Sequence, residues 1–112
     1  MISLKGFNEQ TASFLAGGEL EIGAPVALCG NNTVKRAGEG EDFIGIVVSL
    51  RGSLVGIQLC GYTRLGYSGA APSLGYNSLA ANGGGGVVVS SGARSLLVTD
   101  VDTKDTSIGI IL

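Results

Sequence analysis

FIGIVVSLRGSLVGIQLCGYTRLGYSG, residues 43–69, is the stretch whose reading decides the fold. Side chains alternate across a β-strand, so Ile44, Ile46, Val48 and Leu50 share one face. Val55, Ile57 and Leu59 share a face of the next run in the same way. Between the two runs Arg51-Gly52-Ser53 is short, polar and contains glycine, which suits a hairpin connection. A third run, Tyr62 to Tyr67, follows Gly61 directly. Two strands alone are marginal in water, whereas three with one apolar face can start a sheet. The expectation is an all-β chain, a compact β-barrel or β-sandwich with short strands and glycine-rich turns. Its core should contain Ile44, Ile46, Val48, Val55, Ile57, Leu59, Leu97, Ile108 and Ile110.

The same reading extends in both directions. Upstream, Glu19-Leu20-Glu21-Ile22 alternates like a half-exposed strand, and Val26 to Leu28 and Thr33 to Ala37 flank an asparagine turn. Gly38 to Asp42 is an acidic loop. Downstream, Asn77 to Ala80, Val87 to Val89, Ser95 to Asp102 and Thr106 to Leu112 read as strands, with glycine turns between some of them. The chain also echoes itself. Pro25 to Leu28, Thr33 to Lys35 and Phe43 to Val47 form one series; Asn77 to Ala80, Val87 to Val89 and Ser107 to Ile111 form a similar one. Both copies end in Ile-Gly-Ile, whose glycine (Gly45 or Gly109) should have another strand or side chain crossing close over it.

Residues 1–18 differ from the rest. Ile2, Leu4, Phe7, Phe14 and Leu15 are scattered among polar residues and end at Gly17-Gly18. They read as an extended N-terminal arm, with those five residues as anchors on a partner, attached to a β-domain over residues 19–112. The competing reading is that Phe7 and Phe14 finish the chain's own core.

Composition narrows the function. The 112 residues suffice for one domain, and 45% of them are hydrophobic. Charged residues make up only 14%, against about 25% in most globular proteins. So few charges leave apolar surface for a partner to cover. The net charge of −2 and the lack of a basic run argue against nucleic acid as a partner. No apolar run approaches membrane-spanning length, and the first residues lack the basic-then-apolar pattern of a secretion signal, so a cytoplasmic origin is expected. Cys29 and Cys60 then read as buried thiols.

No enzymatic constellation is legible. The chain has no histidine, which removes the commonest general base and the Ser-His-Asp arrangement. Gly83 to Gly86 lacks the Lys-Ser/Thr that a phosphate loop needs. Asp100 and Asp102 could offer oxygens to calcium, but the run misses the glycine and glutamate of an EF-hand and reads as a solvated strand end. No cofactor or metal is expected.

Gly23 to Leu28, Thr33-Val34, Phe43 to Val47, Val55 to Tyr62, Tyr67 to Gly69, Gly75-Tyr76 and Asn82 to Val87 together form an ordered pattern of strands and glycine turns. In this the chain resembles the small β-rich capsid decoration (cement) proteins of tailed bacteriophages, from about residue 20 to the end. The resemblance implies a non-enzymatic protein on the outside of the phage head, often a homotrimer. It would be made in the host cytoplasm, bind the major capsid protein and lock capsid subunits against internal DNA pressure. The alternative is a carbohydrate-recognition module using the loop from Tyr67 to Tyr76, since the faces of Tyr62, Tyr67 and Tyr76 suit stacking on sugars.

Overall fold

A computed structural model describes residues 10–112. The described residues are all-β and form ten strands. The first five are β1 (Gln10–Ala16), β2 (Pro25–Gly30), β3 (Thr33–Arg36), β4 (Gly45–Arg51) and β5 (Leu54–Cys60). They close into a barrel in the order β1-β3-β2-β4-β5. The second five are β6 (Tyr62–Gly66), β7 (Gly75–Ala81), β8 (Val87–Val89), β9 (Arg94–Asp102) and β10 (Ser107–Ile111). They form a sheet in the order β6-β10-β9-β7-β8.

The two halves have one topology. In the first, β1 runs parallel to β3 while every other pairing is antiparallel. In the second, β6 takes the place of β1, and a single parallel bridge, Tyr67 to Val87, brings it to β8. The hydrogen bonds repeat as well. The Ala16 and Gly17 N–H groups donate to Ser53 and Val34 carbonyls; those of Tyr67 and Ser68 donate to Thr106 and Val87. Even an irregularity recurs. Val48 is an extra residue between the pairs Val47–Ile57 and Ser49–Gly56, and Thr99 is extra between Val98–Ile110 and Asp100–Gly109.

The sequence echo is therefore real for β2 with β7 and for β3 with β8, but its third member is corrected. The counterpart of β10, with Ile108-Gly109-Ile110, is β5, with Val55-Gly56-Ile57; Gly45 lies in β4. The close approaches expected over both glycines do occur. A side chain on Gly45 would run into the Gln58 carbonyl and Ile57, and one on Gly109 into the Tyr62 ring and Asp100.

Two apolar clusters hold the chain together. The smaller fills the barrel with Val26, Val34, Val47, Val55 and Ile57, flanked by half-buried Phe14, Leu20, Ile44 and Leu59. The larger fills the second half with Leu65, Leu79, Val87, Leu96, Val98, Ile108 and Ile110, and the first half adds Phe43 and Ile46 to it. Full burial of side chains this size contributes about 1.5–3 kcal/mol each. Strand β4 is thus covered on both faces at Ile46 and Val47.

Three expectations change. Val48 is 36% exposed, because as the extra residue of a bulge it is pushed out of the alternation, and Leu50 beyond it changes face. Leu97 is half-buried on the outer side of the sheet, opposite the neighbouring core residues Leu96 and Val98. Residues 19–22 form no strand, although Leu20 packs on the smaller cluster.

The arm changes most. Residues 1–9 lie outside the described residues, but Gln10–Ala16 is a barrel strand, paired from Gln10 to Leu15 with β5 and at Leu15 and Ala16 with β3. Ala12, Phe14 and Ala16 are half-buried while Thr11, Ser13 and Leu15 are exposed, so the alternation of a strand is present in small residues. Without this strand the barrel would have an open edge between β3 and β5.

Candidate functional site

The five anchors expected from the sequence separate. Ile2, Leu4 and Phe7 lie outside the described residues. Phe14 packs on the barrel's own core, as the competing reading had it. Leu15 is 45% exposed on the outer face of β1. Register explains the difference: Phe14 pairs with core residue Val55, and Leu15 pairs with exposed Leu54.

Leu15 is part of an outward row. Leu54 lies between Leu15 on β1 and Arg51 on β4, so the three share one face. The next outward row is Ser13, Gly56 and Ser49. Gly56 leaves a depression there, and an open groove of about 380 Å³ runs over it, bordered by Val48, Leu54 and Arg51. The described residues that line it provide serine hydroxyls, a guanidinium and aliphatic walls, with no carboxylate among them. Such a surface can take both apolar contacts and hydrogen bonds from a flat partner.

The corresponding row in the second half is already filled. Arg64 and Asp100 flank Gly109 and form an ion pair across it through Nη1 and Oδ2. Arg64 Nε donates to Ser107 Oγ (3.1 Å), and Thr99 Oγ1 donates to Asp100 Oδ1 (3.0 Å). Tyr62 covers the glycine, its hydroxyl 3.4 Å from Asp100 Oδ1. The Arg64 guanidinium holds the Asp100 carboxyl below its usual range, and Asp100 in turn raises Arg64. In the acidic loop the Gly38 N–H, and then Lys35, hold Glu41 below its usual range.

The remaining candidates are mostly occupied locally. Asp102 Oδ1 accepts the Lys104 and Asp105 N–H groups, which is the strand-end turn that the sequence suggested. Among the described residues no group of three or more histidine, cysteine, aspartate or glutamate side chains is placed to hold a metal. Tyr67 packs on the larger core, whereas Tyr76 is 75% exposed. Both cysteines are free thiols; Cys29 is exposed rather than buried, since it lies beside the turn after β2, and Cys60 is half-buried.

Sequence reading missed two residues that join the halves. Gln58 is buried, and its Nε2 donates to the carbonyls of Cys60 and Tyr62 on either side of the junction at Gly61. Arg94 Nη1 donates to the Phe43 and Ile44 carbonyls. A glutamine placed among apolar strand residues was the available signal for the first; nothing in the sequence marked the second.

No family model matches the chain, and no curated protein matches it in sequence.

Proposed function

We propose that the chain is a structural decoration (cement) protein of a tailed-phage head. It sits on the capsid exterior as a closed homotrimer, binds the major capsid protein and stabilises the shell against internal DNA pressure. The sequence pattern described above suggests this reading. The observation that carries it further is the outer face of β1, β5 and β4. There Leu15 and Leu54 stand exposed beside Arg51 and an open groove, on a closed barrel. Exposed leucines next to an arginine suit a contact centre that excludes water and adds a directed hydrogen bond.

Co-sedimentation with heads of the phage whose genome encodes the chain tests the proposal. The protein should pellet with the heads and raise their disruption temperature. Leu54→Lys should abolish pelleting while leaving the melting temperature of the free protein unchanged. Absence of the wild-type protein from the pellet would refute the reading. Exposed Tyr76 favours carbohydrate recognition as a second reading. A glycan array would test it, with loss of signal in Tyr76→Ala as the expected result.

A further inference from the structure

A chain built from two equivalent units can include, among the contacts between them, one that uses a different part of each. If the contact is directional, each unit is left with one unused half of it. Here both unused halves can be located.

The internal contact lies at the end of β7. The Ala81 N–H donates to the Glu41 carbonyl (3.0 Å), and the Gly40 N–H donates to the Ala81 carbonyl (2.8 Å). The loop between β3 and β4 of the first half is thus added to the free edge of β7 in the second. Ala81 is 1% exposed there and belongs to the larger cluster.

The counterpart of Ala81 is Leu28. Ala81 pairs with Val87 and Leu28 with Val34, at the same place in each half. The Ala37 N–H donates to the Pro25 carbonyl, and the Ser90 N–H donates to the Ser78 carbonyl. Counting along an antiparallel pair from these bonds directs the Leu28 N–H and C=O away from β3, just as those of Ala81 point away from β8. Strand β4 pairs with β2 only at Pro25 and Val26 and stops short of Leu28. Among the described residues no loop covers Leu28 as one covers Ala81, and Leu28 is 53% exposed although its register partner Val34 belongs to the core. Among the described residues this strand edge is unpaired, and it carries an apolar side chain.

The counterpart of the docking loop is also free. The Glu41 N–H donates to the Gly38 carbonyl and the Ala93 N–H to the Ser90 carbonyl, so both segments form the same turn. The third residue of each turn is a glycine in the left-handed region, Gly40 at φ 78° and Gly92 at φ 81°. Ser91 and Gly92 are exposed, and none of the described residues lies close over Gly92.

We infer that the Ser90–Ala93 turn of one copy docks on the Leu28 edge of a second copy, repeating between chains the strand-edge contact that the Gly38–Glu41 turn makes within one. The Gly92 N–H donates to the Leu28 carbonyl, and the Leu28 N–H donates to the Ala93 carbonyl. Addition to a strand edge takes its affinity from such main-chain bonds. The contact is head-to-tail, so it closes into a ring where the rotation permits and otherwise grows into a filament. It needs no capsid, and its failure would leave capsid binding untouched.

Exposed Cys29, beside Leu28, provides the probe. Ser91→Cys is made in the full chain, and equal amounts of unlabelled and ¹⁵N-labelled protein are mixed and mildly oxidised. The expected product is a Cys29 disulfide to position 91 joining labelled to unlabelled chains, seen by peptide mass mapping. Adding Leu28→Lys should remove that product without lowering the melting temperature. The inference is overturned if Cys29 pairs only with Cys29, if no mixed-label disulfide to position 91 forms at high protein concentration, or if Leu28→Lys leaves it unchanged.

Discussion

Ser13, Gly56 and Ser49 occupy the same place in the first half that Arg64, Gly109 and Asp100 occupy in the second. Both rows cross three strands, with a glycine in the middle and the same bulge beside it. Over the first lies an open groove; over the second, an ion pair and a tyrosine ring. The backbone therefore sets where an outer surface exists, and two or three side chains decide whether it is available. The barrel leaves this outer row open, while the second half covers its own.

The most drastic way to break the correspondence is to remove a strand from one half only. Deleting residues 1–16 takes β1 from the barrel, leaving β3 and β5 unpaired on that side and Val34, Val55 and Ile57 uncovered. The expected outcome is loss of a cooperative thermal transition, followed by circular dichroism. A truncated chain that melts like the full one would show that the barrel does not depend on β1.

Glycine substitutions probe the halves more finely. Gly45→Ala forces a methyl group against the Gln58 backbone carbonyl and Ile57, neither of which can move freely. A loss of about 1–3 kcal/mol, or somewhat more, is expected from chemical denaturation. In Gly56→Ala the methyl group meets mainly the hydroxyl of Ser49, which can rotate into the groove. That change should stay within about 1 kcal/mol, while narrowing the groove and weakening capsid binding. Equal losses at the two sites would contradict the packing described for β4.

The ion pair over Gly109 should contribute least. Both side chains are substantially solvent-exposed, which limits the pair to about 0.2–1 kcal/mol. Asp100 is held below its ordinary carboxyl range when folded, so its contribution is fully present above that range. It is lost as the pH falls through the lowered folded value. The melting-temperature difference between wild type and Arg64→Ala should therefore be present at neutral pH and disappear in acid. A difference that persists in acid would assign the effect to lost packing of the arginine stem.

How much of this was legible in the sequence follows from what each residue signals. Long β-branched runs such as Ile44 to Val48 marked their strands, and Ile-Gly-Ile marked the close approaches at Gly45 and Gly109. Strand β1 was harder to see because its inward residues include Ala12 and Ala16, which bury little area and barely register as an apolar alternation. The repeat was visible at Pro25 to Leu28 and Thr33 to Lys35 against Asn77 to Ala80 and Val87 to Val89. It was misaligned at the glycines because Ile44-Gly45-Ile46 resembles Ile108-Gly109-Ile110 more closely than its true counterpart Val55-Gly56-Ile57 does. Of the candidate surface, only Leu15 carried a sequence signal. The groove arises from register, which places Gly56 between two serines that are distant in the chain.

Leu28 and Ala81 are equivalent positions, and among the described residues the edge is open at the first and covered at the second. Residue-resolved amide hydrogen exchange in dilute protein measures this directly. Ala81 should exchange slowly, its N–H held by the Glu41 carbonyl, and Leu28 should exchange about a hundredfold faster or more, although both lie in strands. Equal protection of the two amides, or a slower Leu28, would contradict the account.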